Sequence, residues 1–238
     1  MQFIQLFMLR FNKLTKTETF LFIALAVVLI LSVYFGFTDK VYFDTIFAQE
    51  DGAIEYATFF FLLCISILQF IRLFAASKNK TVLWKLGIFF FAVLFLFGAG
   101  EEISWGQRIF GIESGEFFQG NNLQKETNLH NLEIGGVKLN KLIFSQLLTI
   151  VMALYLLVMP FLYQKFNGIK KLVDKFVIPV PQLSHIVAFL INTIFIAILP
   201  NLSRKWEVYE LFFAVIFLLI FLNPVNKDIY LVKSSSDS

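Results

Sequence analysis

The stretch FLFGAGEEISWGQRIFG, residues 95–111, sets two adjacent carboxylates, Glu101 and Glu102, at the end of an apolar run and follows them with Trp105 and Arg108. Back from Gly100 to Val82 the run carries a single charge, Lys85. As a helix rising about 1.5 Å per residue, it is long enough to cross a hydrocarbon core of about 30 Å. The doublet then falls where the membrane ends.

The rest of the chain has the same character. Of its 238 residues 58% are hydrophobic, 32 are Phe and only 16% are charged, and the mean hydropathy is +0.75. Such a composition excludes an ordinary water-soluble domain. Five further runs, Thr19–Phe37, Ala53–Phe74, Leu142–Tyr163, Leu183–Leu199 and Glu207–Leu222, are apolar enough to span. Of the five prolines only Pro160 falls inside a run, so little interrupts helix formation. The predicted fold is an all-α polytopic membrane protein of six transmembrane helices, with a helical outer loop between spans 3 and 4. It divides into an interfacial N-terminal segment (1–18), one transmembrane domain (19–223, outer loop 101–141) and a tail (224–238).

The opening MQFIQLFMLRFNKLTK places Arg10, Lys13 and Lys16 after its apolar residues, the reverse of a cleavable signal. Phe3, Phe7 and Phe11 at helical spacing fit a helix lying on the membrane surface. The single cysteine, Cys64, permits no intrachain disulfide.

Once the spans are drawn, the charges divide unevenly. Thirteen of the 20 basic residues fall on the side of the two termini, counting Arg72 and Lys85 at their span ends with the adjoining loop. Basic loops stay in the cytoplasm, so both termini are expected inside, in a bacterial inner membrane. Thirteen of the 17 acids fall on the other side. Acids contribute little to orientation, so their concentration there calls for a different reason.

A site supplies one. Three segments surface on that side: AQEDGAIEY with Glu50, Asp51 and Glu55; GEEISWGQR through NNLQKETNLHNLEIGG; and NLSRKWEVYE. If the third helix continues outward, Glu101, Trp105 and Arg108 share a face and Glu102 sits about 100° round. One carboxylate then pairs with Arg108 and the other stays available for proton transfer. Anchoring at the interface by Trp and Arg accounts for the same residues without chemistry.

In ETNLHNLE, Glu126, His130 and Glu133 stand at i, i+4 and i+7, with Asn128 and Asn131 beside the imidazole. That suits a His oriented by a carboxylate, with amides to hold an oxyanion. It equally suits a metal row of Glu126, His130 and Glu133, with Glu102 as a further ligand. No cofactor is required, and a divalent metal stays open. With just two His in the chain, and His185 on the opposite side, a multi-histidine centre is excluded within one subunit. Candidate catalytic residues are therefore Glu101, Glu102, Arg108, His130 and Asn131. Candidate substrate-binding residues are Glu50, Asp51, Glu55, Trp105, Gln107 and Asn128. Glu55 also reads as a helix-start residue next to Gly52. Ser66, Gln69, Gln146, His185 and Asn192 read as hydrogen-bonding groups between helices.

At EDGAIEY, GAGEEISWGQRIFG and NLQKETNLHN, roughly residues 49–133, the chain resembles a group of uncharacterised bacterial polytopic membrane proteins. The resemblance implies no activity. More loosely it is similar to CAAX-type intramembrane proteases, whose Glu-Glu-x3-Arg helix precedes helices bearing His and Asn. That likeness implies Glu101 and Glu102 as the doublet that activates water, Arg108 as the Arg, and His130 with Asn131 as one later position. Arg108 follows after five residues instead of three, and no second His lies on that side.

The expected function is hydrolysis or group transfer on a lipid, lipid-linked or membrane-peptide substrate. The alternative is a transporter or small subunit of a membrane complex whose outer acids bind cations or a partner. The lipid bilayer is the expected surrounding, and nothing points to nucleic acid.

Overall fold

A computed structural model describes residues 13–76, 80–129, 131–135, 137–138 and 148–231. The surface helix expected within residues 1–12, the end of the tail, His130 and Gln146 lie outside the described residues.

Helix α1, Lys16–Thr38, opens with a capping box: the Thr15 hydroxyl accepts from Glu18 N at 3.1 Å, and the Glu18 carboxylate accepts from Thr15 N at 2.7 Å. Helix α2 is Ala53–Ala76. Helix α3, Val82–Glu102, is capped by Thr81, whose hydroxyl accepts from Trp84 N at 3.2 Å. All three are long and apolar enough to cross a membrane. In the loop beyond α3 stand a helical turn, Gln107–Phe110, helix α4, Glu116–Asn121, and a two-residue antiparallel pair, β1 (Glu133–Ile134) with β2 (Val137–Lys138). The loop expected to be helical is only partly so.

Helix α5 (Leu148–Ala153), a wide turn over Leu154–Val158 and α6 (Met159–Lys165) run on to α7 (Asn167–Lys175), where the axis bends by 120°. Taken together this bent pair makes a fourth candidate crossing. Helix α8, Leu183–Ile198, is apolar but shorter, and α9, Lys205–Leu222, carries Lys205, Glu207 and Glu210 in its first turns.

Helix α9 is the centre of the bundle. Every residue from Ala214 to Phe221 is buried, as expected of a helix that is apolar on all faces and packed on all sides. It contacts α2, α8 and α1, and α2 in turn packs along α3. The Phe95 ring meets Phe217 at 5.9 Å and Phe221 at 5.1 Å, and Tyr155 meets Phe217 at 5.6 Å. By contrast α1 to α3 leave Phe20, Ile30, Phe60, Ile71 and Phe90 exposed, a surface suited to lipid.

Polar contacts gather at the two ends. At one end, Glu18 accepts from Asn223 Nδ2 at 3.1 Å and lies 3.1 Å from His185 Nε2. There too Val180 N donates to Asn226 Oδ1 at 2.8 Å, and the Trp84 indole donates to Ile229 O at 2.8 Å. At the other end, the Asp44 carboxylate accepts from Ser203 N at 3.2 Å and Arg204 N at 3.1 Å. This second end carries the acids.

Candidate functional site

Helix α3 stops at Glu102, correcting the expectation that it continues through Arg108. Ser104, Trp105 and Gly106 follow with φ of 47°, 56° and 76°, three consecutive left-handed residues that reverse the chain. The first two cost about 1–2 kcal/mol each in that conformation. Local contacts hold the turn. Gly106 N donates to Ile103 O at 2.8 Å, the Ser104 hydroxyl donates to Glu126 Oε2 at 2.6 Å, and Trp105 Nε1 donates to Glu101 Oε1 at 3.0 Å. The Trp105 ring folds back onto the helix, 5.7 Å from Phe97 between ring centres. A Cβ at Gly100 would come within 2.8 Å of that ring.

Arg108 is thereby turned away from the doublet. It pairs with Asp51 and, through Nη2 at 2.9 Å, with Glu126. Burial works against the charged guanidinium, but the hydrogen bond with Asp51 and the charges of Glu126 and Asp51 outweigh it and hold Arg108 above its ordinary value. The expected pairing of Arg108 with a doublet carboxylate is replaced by a clamp between the first outer segment and the loop.

The loop residues close around Asn128, which is almost wholly buried. Its Nδ2 donates to Ser104 Oγ and Glu126 Oε2, both at 2.9 Å, and its Oδ1 accepts from Asn122 Nδ2 at 2.9 Å and Asn131 N at 3.2 Å. Gln107 Oε1 accepts from Thr127 N at 2.7 Å and from the Ser114 hydroxyl at 3.0 Å. Asn131 Nδ2 donates to Gln124 Oε1 at 2.5 Å. Asn128, Gln107 and Asn131, candidates for holding a substrate, are engaged in fastening the loop.

The doublet is split in role. Glu101 is buried, and its second oxygen accepts from Leu129 N at 2.6 Å, so with the Trp105 bond it ties the loop to the end of α3. Glu102 makes no hydrogen bond with a described residue. It stands within electrostatic reach of Glu210, Glu207, Glu55 and Glu101. Glu55 is buried and accepts from Asp51 N at 2.5 Å; Glu207 lies 3.6 Å from Arg204 Nη1. Glu210, on α9, is exposed. The charges of Glu55 on α2 and of Glu207 and Glu210 on α9 thus act on Glu102 at the end of α3.

Glu207 and Glu210 were not among the sequence candidates. Their signal was present in KWEVYE, two acids three apart on one face at the start of a helix, but a partner on another helix is not written in the spacing. Glu50 lies at the rim, paired with Arg204 and accepting from Gln124. All three outer segments therefore meet.

The metal row fares differently. None of the described residues between 126 and 134 is helical, Glu126 is spent on Ser104, Arg108 and Asn128, and Glu133 lies opposite Lys138 in β1. Among the described residues no three His, Cys, Asp or Glu side chains are grouped to hold an ion. His130, the nitrogen of that row, is outside the described residues.

Of the groups expected between helices, Ser66 donates from α2 to Ala92 O in α3 at 2.8 Å, and His185 reaches Glu18. Gln69 instead accepts from Arg72 within α2, at 2.8 Å. Asn192 is fully buried, and neither of its amide atoms has a partner among the described residues.

The chain matches no family model, no curated protein and no solved structure.

Proposed function

We propose that this chain is a membrane-embedded enzyme whose acidic end carries out hydrolysis or group transfer on a lipid, lipid-linked or membrane-peptide substrate. In this reading six helices cross a bacterial inner membrane, both termini are cytoplasmic and the acidic end faces the periplasm. The observation that carries it is the division of the doublet: Glu101 is bound on both oxygens by Trp105 and Leu129, whereas Glu102 makes no hydrogen bond with a described residue and lies within electrostatic reach of Glu210, Glu207 and Glu55.

Carboxylates that share a partly desolvated site cannot all stay ionised, and one that holds its proton near neutrality is suited to general acid–base work. Glu102 takes the proton of an attacking water or hydroxyl and returns it to the leaving oxygen or nitrogen. Arg108 and Asn128 fasten the outer loop, and His130, which lies outside the described residues, is assigned from its place in the sequence as the second polar group of the reaction. The likeness to CAAX-type proteases supports the use of the doublet, although Arg108 serves the loop here.

The test is a pair of substitutions with little change of shape, Glu102→Gln and His130→Asn, set against a deletion. The lipid and membrane-peptide inventories are compared at matched membrane abundance. Catalysis requires both variants to reproduce the deletion; inventories like wild type defeat the reading.

A second reading, a non-enzymatic cation carrier, draws on Asn192, since an unpartnered polar group deep in an apolar bundle marks a translocation path. Asn192→Leu abolishes cation flux into vesicles under that reading and leaves the inventories unchanged under the first.

A further inference from the structure

Helix α7 lies at the end of the bundle opposite the carboxylates, and its sequence NGIKKLVDK divides cleanly at 100° per residue. One edge faces the protein. Val173 is buried beside Tyr163 and Val180; Asp174 accepts from the Tyr163 hydroxyl at 3.0 Å and from Asn226 Nδ2 at 2.9 Å. Beyond α7 the chain turns through Val177, at φ 58°. Ile178 N donates to Val173 O at 3.0 Å there, and Phe176 O lies so close to Gly87 of α3 that a Cβ would meet it at 2.4 Å. A left-handed β-branched residue persists only where its surroundings fix it. The helix is therefore held rigidly in place.

The other edge faces away from the protein, and its composition is unusual. Leu172 and Phe176 are 52% and 42% exposed, one turn apart, and Lys171 and Lys175 stand beside them, also exposed and one turn apart. The one acid in the helix, Asp174, is turned inward and committed to Tyr163 and Asn226. Two apolar side chains alternate with two cations that no carboxylate among the described residues pairs with. Water alone does not favour that edge, and an apolar protein partner does not favour the lysines.

We infer that the outward edge of α7 is a binding surface for anionic phospholipid headgroups of the surrounding leaflet. Leu172 and Phe176 enter the boundary of the acyl chains, and Lys171 and Lys175 reach the phosphates. The 120° bend between α6 and α7 swings the helix off the line of the preceding one and lays it across the bundle end, where headgroups lie.

The experiment uses the purified full chain in a neutral detergent. Retained lipid is counted by native mass spectrometry, and the unfolding temperature is followed on adding phosphatidylglycerol, phosphatidylcholine or glycerol 3-phosphate. Wild type retains phosphatidylglycerol and is stabilised by it, more than by phosphatidylcholine, and loses the difference at high salt. The pair Lys171→Gln with Lys175→Gln weakens that binding by roughly fivefold per lysine removed, while Lys171→Arg with Lys175→Arg keeps it. Equal response to the two lipids, retention by the Gln pair, or equal stabilisation by glycerol 3-phosphate overturns the proposal. So does a disulfide-linked dimer formed through Leu172→Cys in a Cys64→Ala background, which would make this edge a contact between copies. Should the Gln pair fail to fold, the lipid preference and salt dependence of wild type and the Arg pair decide.

Discussion

Trp105 and Glu101 are joined by an indole-to-carboxylate hydrogen bond of 3.0 Å across a turn that helical geometry does not contain. The bond helps hold the left-handed turn and commits Glu101 to structure, while Glu102 stays within electrostatic reach of the acids of α2 and α9. The close approach of Trp105 to Gly100 is its packing counterpart.

Gly100→Ala therefore displaces the ring. Overpacking at such a contact costs about 1–3 kcal/mol, so the unfolding temperature in detergent falls and the loop becomes easier to cleave by protease. A similar change at Gly115, where nothing lies within 4 Å of a Cβ, leaves both unaltered.

Arg108→Gln removes the shared partner of Asp51 and Glu126. The Asp51 side chain is 45% exposed and that of Glu126 12%, so the Glu126 side dominates. Losing a charged bond to a largely buried carboxylate costs about 1.5–3 kcal/mol, whereas Asp51→Asn costs at most about 1 kcal/mol. Unfolding in denaturant measures both, and limited proteolysis within residues 103–128 reports the loosened loop.

At the opposite end Glu18 is buried and accepts from Thr15 N and Asn223 Nδ2, with His185 Nε2 at 3.1 Å. Since Gln182 N donates to His185 Nδ1 at 3.3 Å, the ring proton sits on Nε2 and points at the carboxylate. Glu18→Ala leaves these donors without their acceptor, at about 1–3 kcal/mol for each one that stays buried and unsatisfied. Glu18→Gln, which keeps an acceptor, costs less. Equilibrium unfolding of the two variants gives the comparison.

Much of this architecture was legible in the residues. Long apolar runs fix α1, α2 and α3 because a helix is the conformation in which such a segment satisfies its own backbone in lipid. The first span was expected to begin at Thr19, whereas the capping box of Thr15 with Glu18 starts the helix at Lys16. What the sequence concealed has a common cause. Helical periodicity was extended through Ser104 and Trp105, where side-chain bonds to Glu126 and Glu101, distant partners in one case and an indole in the other, pay for a left-handed turn. Asn128 was read as a ligand-holding amide, but its four partners make it the hub of the loop. Glu210 lies near Glu102 only because α9 passes beside α2 and α3, a tertiary fact that no spacing encodes.

The proposed orientation places the loop outside the cell membrane and α7 inside. Asn122 is buried, so Gly120, exposed and with no atom within 4 Å of a Cβ, is the better reporter. In a Cys64→Ala background, Gly120→Cys reacts with an impermeant maleimide in intact spheroplasts and Lys171→Cys reacts only after lysis. The reverse pattern inverts the topology.

The most direct test of the central claim compares Glu102→Gln with Glu101→Gln in cells lacking the wild-type chain, at equal membrane abundance, by the rate at which the lipid or membrane peptide that accumulates in the deletion is consumed. The account predicts that Glu102→Gln lowers that rate by about 100-fold or more, as loss of a general acid or base does, with the bundle still folded. Glu101→Gln acts chiefly through a less stable loop and is rescued by lowering the temperature. Consumption at the wild-type rate by Glu102→Gln would contradict the account.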